Sequence, residues 1–177
     1  MRVVFFLLLL LPFMIPVLVD YAFAVDTWTA ATDVDSDLSR NMYDISMGDA
    51  NNGVAVGDTG EIAYTSDGGD TWTRANSDGC AFGFICNVSQ TILFGVSMVD
   101  ANNGVAVGWA GKIFYTSDGG DTWTAATTTN ADEPLEGVSM GDANNGVAVG
   151  REGTIVYTSD GGDTWTAATT TNVGDTH

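Results

Sequence analysis

One stretch of this sequence is written three times, and that repetition limits the fold more than any other feature. Residues 43–75 read YDISMGDANNGVAVGDTGEIAYTSDGGDTWTRA, residues 94–126 read FGVSMVDANNGVAVGWAGKIFYTSDGGDTWTAA, and residues 136–168 read EGVSMGDANNGVAVGREGTIVYTSDGGDTWTAA. The starts lie 51 and then 42 residues apart. A fourth fragment, Val25-Asp26-Thr27-Trp28-Thr29-Ala30-Ala31, matches only the end of the unit.

Each unit parses into four short strands. In the first copy these are Tyr43–Met47, Val54–Val56, Glu61–Thr65 and Thr71–Ala75. Between them lie turns rich in Gly, Asn and Asp, the first ending in Asn52-Gly53, a dipeptide suited to positive φ. Nothing has helical periodicity. Short strands joined by such turns predict an antiparallel meander. A four-stranded meander repeated at this period predicts an all-β fold of propeller-type blades, three complete and one represented by a lone N-terminal strand.

The third turn carries a family resemblance. Thr65-x-Asp67-x-Gly69-x-Thr71-Trp72 resembles the Asp-box (BNR) motif, and it recurs at Thr116, Asp118, Gly120, Thr122 and Trp123 and at Thr158, Asp160, Gly162, Thr164 and Trp165. The longer pattern, NNGVAVG ahead of YTSDGGDTW, is most similar to the photosystem II stability/assembly factor-like group of Asp-box propellers. The resemblance covers nearly all of residues 43–168. It implies a scaffold and no particular reaction, because Asp boxes recur in sialidases, other glycosidases, sortilin-like receptors and assembly factors. The aspartate is expected to accept backbone N–H bonds across the turn, and the tryptophan to pack beneath it. Ca²⁺ takes carboxylate ligands of the kind found in the Asp-Gly-Gly-Asp turns, but no specific motif supports a site, and no cofactor or metal is expected.

The ends of the chain are organised differently. After Arg2, every residue from Val3 to Val19 is apolar or proline, and Ala22-Phe23-Ala24 has the small-x-small pattern of a signal-peptidase site. The expected organisation is a signal peptide over 1–24, a lone repeat strand and linker over 25–42, and three blades within 43–177, with a cysteine-containing insert over 76–93. The expected location is secreted, periplasmic or cell-surface, and the membrane enters only if the N-terminal segment stays attached. Without residues 1–24 the chain retains four basic and 22 acidic residues, a net charge of −18. Such a surface repels nucleic acid and anionic lipid. Cys80 and Cys86 are expected to form a disulfide in an oxidising compartment, and Asn87-Val88-Ser89 is an N-glycosylation sequon.

Comparison of the copies locates the variation. Segments 96–130 and 138–172 differ at five of 35 positions: Val99/Gly141, Trp109/Arg151, Ala110/Glu152, Lys112/Thr154 and Phe114/Val156. Three of these fall in or beside the second turn, where the first copy has Asp58, Thr59 and Glu61. In a meander the first and third turns share one end; the second turn and the linkers share the other. The constant turns therefore face one way. The variable ones face the opposite way, beside the linkers 76–93 and 127–135. Asp58, Trp109, Lys112 and Arg151, with Phe82 and Phe84 of the longer linker, are the candidate binding residues; neutral drift at exposed turns is the competing account.

No catalytic constellation is legible. The only histidine is His177, and the cations beyond Arg2 are Arg40, Arg74, Lys112 and Arg151. The expectation is a non-catalytic protein-binding or assembly module. The alternatives are a secreted, fibre-forming structural subunit, and a glycosidase-like (sialidase-type) remnant that would use a carboxylate pair from Glu61, Glu133, Glu136 and Glu152. Three blades are few for a closed propeller, so the array is expected to be incomplete or closed by oligomerisation, and the partner to be another protein or, by self-association as a dimer or higher assembly, the chain itself.

Overall fold

The computed structural model describes residues 30–31, 33–34, 40–75 and 91–169. The leader, the Trp28 strand, Cys80, Cys86, Phe82, Phe84 and Asn87 lie outside these residues. Among the described residues there are thirteen strands: β1 (Asp33–Val34), β2 (Met42–Met47), β3 (Gly53–Gly57), β4 (Ile62–Thr65), β5 (Thr71–Arg74), β6 (Leu93–Met98), β7 (Gly104–Gly108), β8 (Ile113–Thr116), β9 (Thr124–Ala125), β10 (Leu135–Met140), β11 (Gly146–Gly150), β12 (Ile155–Thr158) and β13 (Thr166–Ala167). They form three sheets, each built on an antiparallel meander of four consecutive strands, with β1 added to the first.

Each hairpin is held by its own turn chemistry. Asp49 Oδ1 accepts the backbone N–H groups of Asn51 and Asn52, both at 2.7 Å, and Asp100 and Asp142 do the same in the other copies. The second and third strands pair Gly53 with Thr65 through Val56 with Ile62, and the same register recurs in every blade. The first strand carries a bulge in each copy, between Met42 and Asp44, Leu93 and Gly95, and Leu135 and Gly137.

The Asp box closes the third turn. Asp67 accepts from the Thr71 N–H at 2.9 Å, the Thr71 hydroxyl at 2.6 Å and the Thr65 hydroxyl at 2.9 Å. Trp72 Nε1 donates to the Gly69 carbonyl at 3.1 Å, and Trp123 and Trp165 donate to Gly120 and Gly162. The indole therefore covers the turn with its polar edge satisfied.

The apolar cores lie between blades. One joins Val54, Val56 and Ile62 of the first blade to Val96, Met98, Ala106, Phe114 and Trp123 of the second. The other joins Val105, Val107 and Ile113 of the second to Ala148, Val156 and Trp165 of the third. The first strands are also bonded across blades. The Met98 N–H donates to Ser46 Oγ at 2.9 Å, the equivalent Met140 N–H donates to Ser97 Oγ at 3.0 Å, and the Val96 N–H donates to Asp44 Oδ2 at 2.9 Å.

The segment expected to be linker after the lone N-terminal strand holds a short strand of its own. β1, at Asp33–Val34, runs parallel to β5 and makes the first sheet five-stranded, pairing Asp33 with Thr71 and Val34 with Trp72. The same device precedes the third blade. Thr128 bridges Thr164 in parallel, the Trp165 N–H donates to the Thr128 carbonyl at 2.8 Å, and Asn130 Nδ2 donates to the Trp165 carbonyl at 2.6 Å. Thr71 and Thr164 are equivalent residues. The segment ahead of a blade thus passes along that blade's outer edge before entering its first strand, satisfying backbone groups an edge would leave bare.

A candidate binding face at the second turns

Asp58, Trp109 and Arg151 each open an equivalent 3-10 turn: Asp58–Gly60, Trp109–Gly111 and Arg151–Gly153. The middle residues, Thr59, Ala110 and Glu152, take positive φ of 50°, 53° and 54°. Left-handed backbone at a non-glycine residue costs about 1–2 kcal/mol, so each turn is held by its surroundings. The hold comes from the preceding linker. The N–H groups of Asp58, Trp109 and Arg151 donate to the carbonyls of Asn41, Ile92 and Pro134 at 2.9, 2.9 and 3.1 Å. Second turns and linkers therefore share one end of the blades. At the other end the first and third turns are bonded together, Gly68, Gly119 and Gly161 N–H donating to Asn51, Asn102 and Asn144.

The side chains at the variable end differ from blade to blade. Trp109 is 50% exposed, an uncovered indole at the tip of the middle turn. Asp58 accepts from Asn41 Nδ2 at 3.2 Å. Arg151 Nε donates to Glu136 Oε1 at 2.8 Å, and Lys112 is exposed just after its turn. Partial desolvation, and then the Asp58 carboxylate beside it, push the Tyr43 hydroxyl above its usual range.

One cluster escaped the sequence reading. Glu61, only 1% exposed, lies 3.2 Å from Arg74 Nε and 3.6 Å from Arg40 Nε. The sequence expectation treated Glu61 as a spare carboxylate and left the two arginines unassigned. The signal was present in the copies. Glu61 becomes Lys112 and Thr154, and Arg74 becomes Ala125 and Ala167, so the ion cluster belongs to the first blade alone. Two of the four carboxylates considered for hydrolysis, Glu61 and Glu136, are committed to arginines.

The two ends differ in charge. Of the chain's five Lys and Arg residues, all but Arg2 sit at the variable end. The constant end carries Asp49, Asp67, Asp70 and their equivalents in the other two blades, with no Lys or Arg among them. Bonds from the Thr71 hydroxyl and N–H hold the Asp67 carboxyl at about 2, and the Thr164 hydroxyl and N–H do the same for Asp160, also at about 2. Their oxygens are spent inside the turn, which makes them scaffold.

A family model described as photosynthesis system II assembly factor YCF48 matches residues 84–173, more than half of the chain. The chain belongs to this family. Among solved structures, one described as YCF48 bound to D1 peptide is similar at a TM-score of 0.60 and 23% identity, covering 72% of this chain and 40% of that one. YCF48 from Cyanidioschyzon merolae gives the same score and identity, with 39% of its chain covered. An ancestral GH74 enzyme is similar at a TM-score of 0.55 and 12% identity, over 74% of this chain and 19% of that one. At these identities the likeness is one of fold. No curated protein sequence matches. The chain spans about two-fifths of the YCF48 chains it resembles. As a YCF48-family chain it is an all-β array of propeller-type blades, and the family is one of assembly factors.

Proposed function

We propose that this chain is an exported, non-catalytic assembly module that binds a peptide segment of a partner protein on its variable-turn face. The observation that carries the reading is the placement of Trp109 and Arg151. Two nearly identical blades diverge at that turn, and the divergence puts an uncovered indole on one blade and an exposed guanidinium at the equivalent place on the next. Exposed Trp and Arg are the side chains that most often dominate protein interfaces. Family membership supports an assembly role, and a related protein is described as bound to a D1 peptide.

The test is fluorescence anisotropy with a labelled D1 peptide and the full chain. Binding is expected, with a loss of about tenfold or more for Trp109→Ala and for Arg151→Ala, in line with truncation of interface anchors. Equal binding by wild type and both variants would overturn the assignment of this face. Intact-mass measurement of the recovered protein tests export: a chain beginning at Val25 is expected, and one beginning at Met1 would refute it.

A further inference from the structure

Each outer face of the described array exposes residues whose equivalents are buried at an interface the chain already makes twice, although Ala55 and Ala63 on the first blade's leading face are buried. Within the chain, the trailing face of each blade packs on the leading face of the next. Val107 on a trailing face is fully buried, whereas its equivalent on the third blade, Val149, is 47% exposed. Val147, Ile155 and Tyr157 are exposed beside it, though their counterparts in the second blade are buried or half-buried. On the leading side, Val96 is 5% exposed, but its equivalent in the first blade, Ile45, is 57% exposed, and Met47 is uncovered with it.

The polar complement is in register too. At both internal interfaces a Met N–H donates to a Ser Oγ of the preceding blade. The next members of the series are the Met47 N–H at one end and Ser139 Oγ at the other. A third match is steric. Gly120 and Gly162 receive Val54 and Val105 of the preceding blade, which approach within 2.6 and 2.9 Å of where a Cβ would stand. Gly69 has the same turn, and among the described residues only its own Trp72 stands near that place. The equivalent occupant is Val147.

We propose that the third blade's trailing face docks on the first blade's leading face of a second copy of this chain. Ile45 then packs against Val149, Gly69 receives Val147, and the Met47 N–H donates to Ser139 Oγ across the contact. The interface is head-to-tail, so each copy offers one half of it at either end, and two copies are the smallest assembly that satisfies both halves. The occupant follows from continuity: what covers each face inside the chain is an Asp-box blade of nearly the same sequence. The site lies on the blade faces and is separate from the variable-turn end, so peptide binding and self-association fail or succeed independently.

Sedimentation analysis of the full chain, recovered from an expressing host, tests this at about 0.15 M salt, where the screening length is about 8 Å and like-charge repulsion between copies is short-ranged. Wild type is expected to sediment as a dimer or larger. Val149→Asp and Ile45→Asp change residues that solvent already reaches in the single chain, and each alone is expected to be monomeric with unchanged near-ultraviolet circular dichroism. An equimolar mixture of the two variants keeps one intact face of each kind and is expected to recover a dimer. A monomeric wild type, a single variant of wild-type size, or a mixture that stays monomeric while both variants are folded would each overturn the proposal.

Discussion

Gly69, Gly120 and Gly162 occupy the same place in the three Asp boxes, with φ of 95°, 97° and 102°. In the sequence they read as turn glycines, needed for a backbone angle other residues avoid. That reason holds at all three. The structure adds a second at two of them, because a side-chain atom at Gly120 would meet Val54 of the preceding blade at 2.6 Å. In the single chain, alanine at Gly69 carries the backbone cost alone. Alanine at Gly120 adds overpacking, which costs about 1–3 kcal/mol. Gly120→Ala is therefore expected to lower stability by about that much more than Gly69→Ala, as urea unfolding would show; equal losses would mean the blade contact yields. The turn half of this argument was legible because local chemistry repeats in the sequence. The packing half was not, because it depends on which blade stands behind the turn. The same limit hid the Glu61 cluster: its partners lie 21 residues before and 13 after it, and only the folded blade brings Arg40 and Arg74 to one carboxylate.

The turns themselves store a pH dependence. The carboxyls of Asp67 and Asp160 sit at about 2 against an ordinary value of 3.8, and those of Asp49, Asp100, Asp118 and Asp142 are also lowered. A carboxyl lowered by folding stabilises the fold above its unfolded value and loses that contribution as pH falls through its folded one. The melting temperature is therefore expected to hold down to about pH 4 and drop between about 4 and 2. Asp160→Asn keeps the shape but cannot ionise, so its melting temperature should depend less steeply on pH over that window. Parallel curves for the two proteins would place the acid sensitivity elsewhere. The division into constant and variable turns was readable from the copies before any fold was known, since hairpin topology fixes which turns share an end. The edge straps were not readable. Asp33 on Thr71 and Thr128 on Thr164 are parallel pairings between residues 38 and 36 apart; both straps directly follow the same TWTAAT run, at 27–32 and 122–127, but that run does not record which edge the chain passes along. Their regularity follows from the path a linker must take between blades, a property of the stack that no single strand records.

For the whole molecule, burial is graded by position in the array. The second blade has a neighbour on both faces, and β7 is buried along its length; β3 of the first blade is buried too, but β11 of the third alternates between buried and exposed, and β2 is largely exposed where its equivalent β6 is mostly buried. In an array stabilised by nearest-neighbour interfaces, a blade with two interfaces opens less readily than a blade with one. Amide hydrogen exchange should therefore be slowest in β6, β7 and β8 and faster in β2 and in β11–β12 when the protein is dilute. Self-association changes this in a defined way. If the third blade docks on the first blade of another copy, β11, β12 and β2 gain protection together as concentration rises, while the middle blade, already covered, changes little. In Val149→Asp the gradient should persist at every concentration. Uniform exchange across the three blades in the dilute protein would contradict the interface-by-interface account of stability. A persistent gradient in concentrated wild type would contradict docking alone, leaving the blade hierarchy intact.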